Sequence, residues 1–149
     1  MALESDRPYG QMNFLVDIGE GTDGPKAGFQ EVSGLGMEVS VAEYRNGNSP
    51  TNNVIKVQAI SKQTDVTLKR GVIGSLNLYT WLDAIRNGDR NARRTVRIML
   101  MTEDHSAPVF TWRLLEARPA KYTTGPFSGK GTDVAVEELV LTYERLEME

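Results

Sequence analysis

Apolar side chains in this 149-residue chain recur at every second position over much of its length. Period 2 is the repeat of an extended strand, whose side chains alternate between the two faces of a sheet. The chain is therefore committed to a β-rich fold before any other property is considered. In residues 11–18, Met12, Phe14, Val16 and Ile18 share one face. In residues 35–44, Leu35, Met37, Val39 and Val41 oppose Glu38, Ser40 and Ala42. Ile55, Val57 and Ala59 alternate with Lys56 and Gln58, Val66 and Leu68 with Thr67 and Lys69, and Val96, Ile98 and Leu100 with Arg97, Met99 and Met101. Residues 109–117 and 134–143 are apolar on both faces, the pattern of strands held between layers.

One segment has a different period. Over residues 76–87, Leu78, Trp81, Leu82 and Ile85 follow the i, i+3, i+4, i+7 spacing of a single helical stripe. Ser75 is placed to cap its start and Gly88 to end it. A lone amphipathic helix has to lay its stripe on a sheet. The expected fold is thus mainly β, a barrel or sandwich of about seven or eight strands with one flanking helix, whose core residues are Leu78, Trp81, Leu82 and Ile85. Loops rich in Gly, Pro, Asn and Asp fall at 19–26, 46–53, 88–93, 102–108 and 123–132, and none reads as an interdomain linker. A single domain over residues 1–149 is expected, with a flexible N-terminal arm at 1–10.

Composition narrows the chemistry. There is no cysteine, which removes disulfides, thiolate zinc sites and cysteine nucleophiles, and the only histidine is His105. With 17 basic and 20 acidic residues the net charge is -3, which disfavours a strongly basic nucleic-acid binder. No apolar run reaches the ~18 residues of a membrane-spanning helix, and the polar start has no signal-peptide core. No catalytic residue, cofactor or metal is expected.

Several motif look-alikes fail on context. Gly19, Gly21 and Gly24 match GxGxxG, but no helical stripe follows, as a dinucleotide site requires. The loop 125–132 has the flavour of a phosphate loop, yet an alternating strand pattern follows it and the Walker spacing is wrong. Asp104, His105 and Ser106 are adjacent and cannot converge as a triad does. Glu137 and Glu138 point to opposite faces of one strand and cannot flank a single bond.

Charge is unevenly spread. Arg86, Arg90, Arg93, Arg94 and Arg97 make a basic middle, whereas Asp133, Glu137, Glu138, Glu144, Glu147 and Glu149 make an acidic end. Such a split suits head-to-tail contacts between copies, and equally an ordinary charged surface. Long strands also leave edges that must be closed into a barrel, blunted or paired with another subunit. The strands at 35–44 and 53–60 read as a hairpin, apolar on one face and polar on the other.

An ordered set of segments carries a family resemblance: Phe29-Gln30-Glu31-Val32-Ser33-Gly34-Leu35, Tyr44-Arg45-Asn46-Gly47, Leu68-Lys69-Arg70-Gly71, Leu78-Tyr79-Thr80-Trp81-Leu82, Ala117-Arg118-Pro119-Ala120-Lys121-Tyr122 and Val136-Glu137-Glu138-Leu139-Val140-Leu141. From about residue 11 to 146 the chain resembles the tail tube (inner tube) proteins of contractile phage tails and phage-tail-like extracellular contractile injection systems. The resemblance implies a structural subunit without catalytic activity. It implies hexameric rings in which a pair of hairpins from each copy builds one β-barrel around a lumen, and rings stacked into a hollow tube. The hairpin strands would be 35–44 with 53–60 and 95–101 with 109–115. Glu38, Ser40, Lys56 and Gln58 would line the channel, and Tyr9, Arg45, Asn46, Asn48, Asn53, Arg93, Arg94 and Glu137 would stack rings or join subunits. Implied partners are further copies of the chain, a contractile sheath protein, baseplate hub, spike and tube-initiator proteins, a tube terminator or cap, and cargo or DNA in the lumen. Assembly in the cytoplasm of the producing bacterium is implied as well. The alternatives are the inner tube of a type VI secretion system, and a small β-barrel enzyme or ligand-binding protein using His105 or the 125–132 loop.

Overall fold

The alternating segments fold into strands, as a computed structural model describing residues 7, 9–10, 13–19, 28–45, 47, 54–104, 106–131 and 134–149 shows. In chain order they are β1 (Phe14–Asp17), β2 (Glu31–Ser33), β3 (Met37–Tyr44), β4 (Ile55–Gln63), β5 (Val66–Gly71), helix α1 (Asn77–Arg86), a 3-10 turn (Arg90–Ala92), β6 (Arg94–Met101), β7 (Pro108–Thr124), β8 (Val136–Thr142) and β9 (Arg145–Met148). Nine strands among the described residues exceed the expected seven or eight, because β2 and β9, of three and four residues, are too short to show a period of their own. Most of the expected N-terminal arm lies outside the described residues.

All strand pairs are antiparallel. Seven strands form one sheet in the order β1-β6-β7-β8-β5-β2, with β9 also paired to β7. The 17-residue β7 holds the sheet together: its first half pairs with β6 and β9, its second with β8. Between the halves Glu116 takes a positive φ of 55°, a left-handed conformation that bends the strand. Arg93 spans this bend, with Glu144 at 3.2 Å and Glu116 at 3.9 Å.

The inward phase of each strand supplies the core. Val16, Val66, Leu68, Val96, Ile98, Leu114, Leu139 and Leu141 are buried and pack with Leu78 and Trp81 of α1. Leu82 and Ile85 are half-buried at the margin of the stripe. The helix begins one residue later than the Ser75 cap predicts. Leu76 occupies the cap position without a side-chain bond, and Ser75 Oγ accepts from Asn77 N at 3.3 Å from one residue further out. Its other end follows the expectation: Gly88 has φ +87°, and Gly88 N and Asp89 N donate to the Ile85 and Ala84 carbonyls at 3.1 and 3.0 Å. Trp81 Nε1 donates to the Ala92 carbonyl at 2.6 Å, and the Arg94 guanidinium lies 4.7 Å from the centre of the Trp81 ring. Together these tie the helix to the start of β6.

Candidate assembly surface

Strands β3 and β4 pair only with each other among the described residues and stand apart from the seven-stranded sheet. An isolated two-stranded hairpin is at best marginally stable in water. This one nevertheless exposes Met37, Val39, Val41, Tyr44, Ile55, Val57 and Ile60, the last at 77%.

Its root is tightly specified. Gly34 has φ +88°, and a Cβ there would sit 2.2 Å from the Asp65 carbonyl oxygen, so only glycine fits where the chain leaves β2 for the hairpin. Thr64 Oγ1 donates to the Gly34 carbonyl at 2.5 Å, and Thr64 N to the Gly36 carbonyl at 3.3 Å. Tyr143 OH reaches from the main sheet to the Thr64 carbonyl at 2.7 Å. Burial, and secondarily the nearby Asp65 charge, hold the Tyr143 phenol above its ordinary pKa.

The register corrects the expected channel lining. Directly opposed residues are Glu38 and Lys62, Val39 and Ser61, then Val41 and Gln58, Ala42 and Val57, Glu43 and Lys56, and Tyr44 and Ile55. From Val39 to Val41 is two steps on β3, but from Ser61 to Gln58 is three on β4. The extra residue is a β-bulge in β4, and it flips the side-chain phase of everything beyond it. Glu38 and Ser40 consequently share a face with Ala42, Tyr44, Ile55 and Val57, whereas Lys56 and Gln58 lie on the opposite face with Val41 and Glu43. The four residues grouped as one lining do not share a face. Period-2 alternation describes β3 and the outer part of β4, and it breaks inside β4 at the bulge.

The remaining predicted contact residues scatter. Tyr9 is half-buried and lines an apolar groove of about 640 Å³ with Phe14, Phe29, Val32, Leu35 and Trp112. Arg45 is exposed at the end of β3, while Asn46, Asn48 and Asn53 lie outside the described residues. Arg93 and Arg94 are engaged within the chain, at the β7 bend and over Trp81, and Arg94 also donates to the Ile18 carbonyl at 3.3 Å.

Glu137 is not a surface residue. It is 4% exposed, and its Oε1 accepts from Arg70 Nε at 2.5 Å, Arg70 itself being 1% exposed. Tyr122 OH donates to the other carboxylate oxygen at 2.5 Å, Arg70 Nη2 donates to Asn77 Oδ1 at 2.5 Å, and the guanidinium lies 5.4 Å from the Phe29 ring centre. Burial, then the hydrogen bond and charge of Glu137, push the Tyr122 phenol up to about 12, with Arg70 opposing. This network joins β5, β7, β8 and the start of α1. A sequence signal for it existed: Arg70 continues the inward phase of Val66 and Leu68, and Glu137 that of Leu139 and Leu141.

The acidic end is likewise answered inside the protomer. Besides Glu137, Lys69 lies 3.6 Å from Glu138, Arg93 3.2 Å from Glu144, Arg145 3.2 Å from Glu147 and Arg113 2.8 Å from Glu149, while Asp133 lies outside the described residues. Of the basic middle, Arg93 alone takes part in these pairs; the other partners, Lys69, Arg113 and Arg145, come from elsewhere in the chain.

The look-alike motifs are turns where described. Asp104 Oδ1 accepts from Thr102 Oγ1 at 2.5 Å, Ser106 Oγ at 2.7 Å and Ser106 N at 3.0 Å, and the two hydroxyl bonds bring its carboxyl down to about 2. His105 and most of the GxGxxG segment lie outside the described residues. The loop through Gly125 and Lys130 leads to β8, not to a helix N-terminus.

The described residues thus combine a β-rich sheet, one packed helix and a hairpin whose two strands pair only with each other. Residues 10–147 match the family of the T4-like virus tail tube protein gp19. The chain belongs to the tail tube family. Among solved structures it is similar to a chain of an extracellular contractile injection system, the PVC sheath–tube complex in the extended state, with 29% identity and a TM-score of 0.83 over 97% of this chain and 93% of that one. It is similar also to a chain of the PVC sheath/tube terminator in the extended state, with 27% identity and a TM-score of 0.85 over 98% and 99%. A type six secretion system protein shares the fold at 14% identity, with a TM-score of 0.55 over 92% of this chain and 82% of that one. No curated protein matches the sequence significantly.

Proposed function

We propose that this tail tube protein is the inner-tube subunit of an extracellular contractile injection system. Copies assemble into hexameric rings that stack as a hollow conduit, sheathed by a contractile protein, started at a baseplate and closed by a terminator or cap. The observation that carries this reading is the full-length likeness to a PVC sheath–tube chain at 29% identity. The type VI reading has less support, because the likeness there falls to 14% identity and a TM-score of 0.55. The role is mechanical, and the subunit needs no catalytic group. Assembly takes place in the cytoplasm of the producing bacterium, and the finished tube is part of a phage-tail-like particle. Arg45 and the loop after it, with the N-terminal arm, contribute to ring stacking.

Negative-stain electron microscopy of the purified chain tests the proposal. Hollow tubes or rings with sixfold end views are expected. A protein that stays monomeric up to high concentration, with and without its sheath partner, refutes it.

A further inference from the structure

An asparagine followed by glycine can be attacked by its own backbone. The glycine nitrogen loses its proton, bonds to the asparagine Cγ and expels the side-chain nitrogen as ammonia. Water then opens the resulting five-membered imide at either carbonyl, leaving aspartate or isoaspartate. The step needs no oxidant and no co-reactant besides water, and glycine favours it because no Cβ crowds the attacking nitrogen. The chain contains two such pairs, Asn46-Gly47 and Asn87-Gly88. Asn46 lies outside the described residues, whereas Asn87 and Gly88 are both exposed at the end of α1.

The helix ending holds this second pair away from the reaction. Gly88 N, the attacking atom, donates to the Ile85 carbonyl at 3.1 Å, so its proton is engaged. Asn87 N donates to the Asp83 carbonyl at 3.0 Å, and Asn87 Nδ2 donates to Asp83 Oδ2 at 3.4 Å, which draws the side-chain amide back along the helix. Asn87 has φ -85° and ψ 7°. Closing the imide ring requires its Cβ and Gly88 N to eclipse about the Cα–C bond, about a third of a turn of ψ away. The buried anchors of the helix, Leu78 and Trp81, sit in its first half, while residues 86–90 are all exposed. The last turn can therefore open without the core.

We propose that Asn87-Gly88 is a self-modification site gated by the last turn of α1. It is closed while these bonds hold and converts to aspartate or isoaspartate in protomers whose helix end opens. The conversion is one-way. A carboxylate replaces the donor that faced Asp83, at the negative end of the helix and two residues from Asp89. Arg86, the cation of that turn, is already held by Asp83 and Tyr79. Isoaspartate also routes the backbone through Cβ and Cγ, so Gly88 N no longer meets the Ile85 carbonyl. The chain thus carries a covalent record of helix opening, and the proposal stands independently of the tube reading.

Peptide mapping by mass spectrometry tests it on the full chain, held in mildly alkaline buffer either folded or unfolded in guanidinium chloride. Conversion at Asn87 is expected to be about tenfold or more slower in the folded protein. Asp83→Ala, which removes the side-chain hold, should speed the folded reaction by about two- to fivefold and leave the unfolded rate unchanged. Folded and unfolded rates within about twofold of each other, no conversion in the unfolded chain, or a folded rate unmoved by Asp83→Ala each overturn the proposal. Asn87→Asp checks the one-way step. It should melt about 1–4 °C below Asn87→Ala, and equal melting overturns that part.

Discussion

The Arg70–Glu137 pair offers the sharpest test of how this fold is held. Both groups are almost fully buried, at 1% and 4%, and their 2.5 Å contact takes two charges out of water together. Removing one charge leaves the other buried without a counter-ion, which costs about 3–5 kcal/mol, whereas replacing both with apolar residues of similar volume is neutral or even stabilising. Glu137→Gln keeps an acceptor for Arg70 but not the charge. Asn77 and the Phe29 ring still hold the guanidinium, so the loss should fall near the lower end, about 3 kcal/mol. For a chain of this size, ~2–4 °C per kcal/mol translates that into roughly 6–12 °C of melting temperature. Arg70→Met with Glu137→Leu should recover most of it. Thermal or urea unfolding at one fixed protein concentration is the assay, since assembly adds apparent stability by mass action. A Glu137→Gln protein that melts within about 2 °C of the parent, or a double variant no better than the single, refutes the view that charge neutralisation in the buried core is what the network provides.

Three further outcomes follow from other parts of the molecule. Trp81→Ala removes a ring that is 1% exposed, with its bond to Ala92, and should cost about 3–5 kcal/mol by denaturant titration. Gly34→Ala forces a Cβ to within 2.2 Å of the Asp65 carbonyl at a φ that disfavours alanine; the hairpin root must shift, and tube yield should drop sharply while the Trp81 fluorescence of the main core is retained. Asp104 should titrate near 2 by carbon-detected NMR, and Thr102→Val, which removes the foremost cause of the shift, should raise that value. Because the folded pKa lies below the ordinary carboxylate value, the turn's contribution is present above about 3.8 and is lost as pH falls towards 2.

Much of this architecture is legible in the sequence because it depends on local periodicity. The inward phases Val16–Ile18, Val66–Leu68 and Val96–Ile98, the stripe Leu78–Trp81 and the ending at Gly88 each need only the geometry of one element. The same phase logic, carried one position further, would have buried Arg70 and Glu137, which their charge argued against. Charged residues go inside only when a partner waits there, and Arg70 and Glu137 are 67 positions apart along the chain.

What no single strand can specify is its offset from the next. The sequence by itself determined that β3 and β4 are strands and that a mainly β fold carries a helix against it. Only the tertiary structure decided that a bulge on β4 turns its outer half over, that Lys56 and Glu38 look in opposite directions, and that the acidic end is answered by arginines and a lysine of the same chain. Register and pairing are relations between distant segments, set by which cross-strand contacts bury the most surface at once, and a one-residue slip reverses every side chain beyond it.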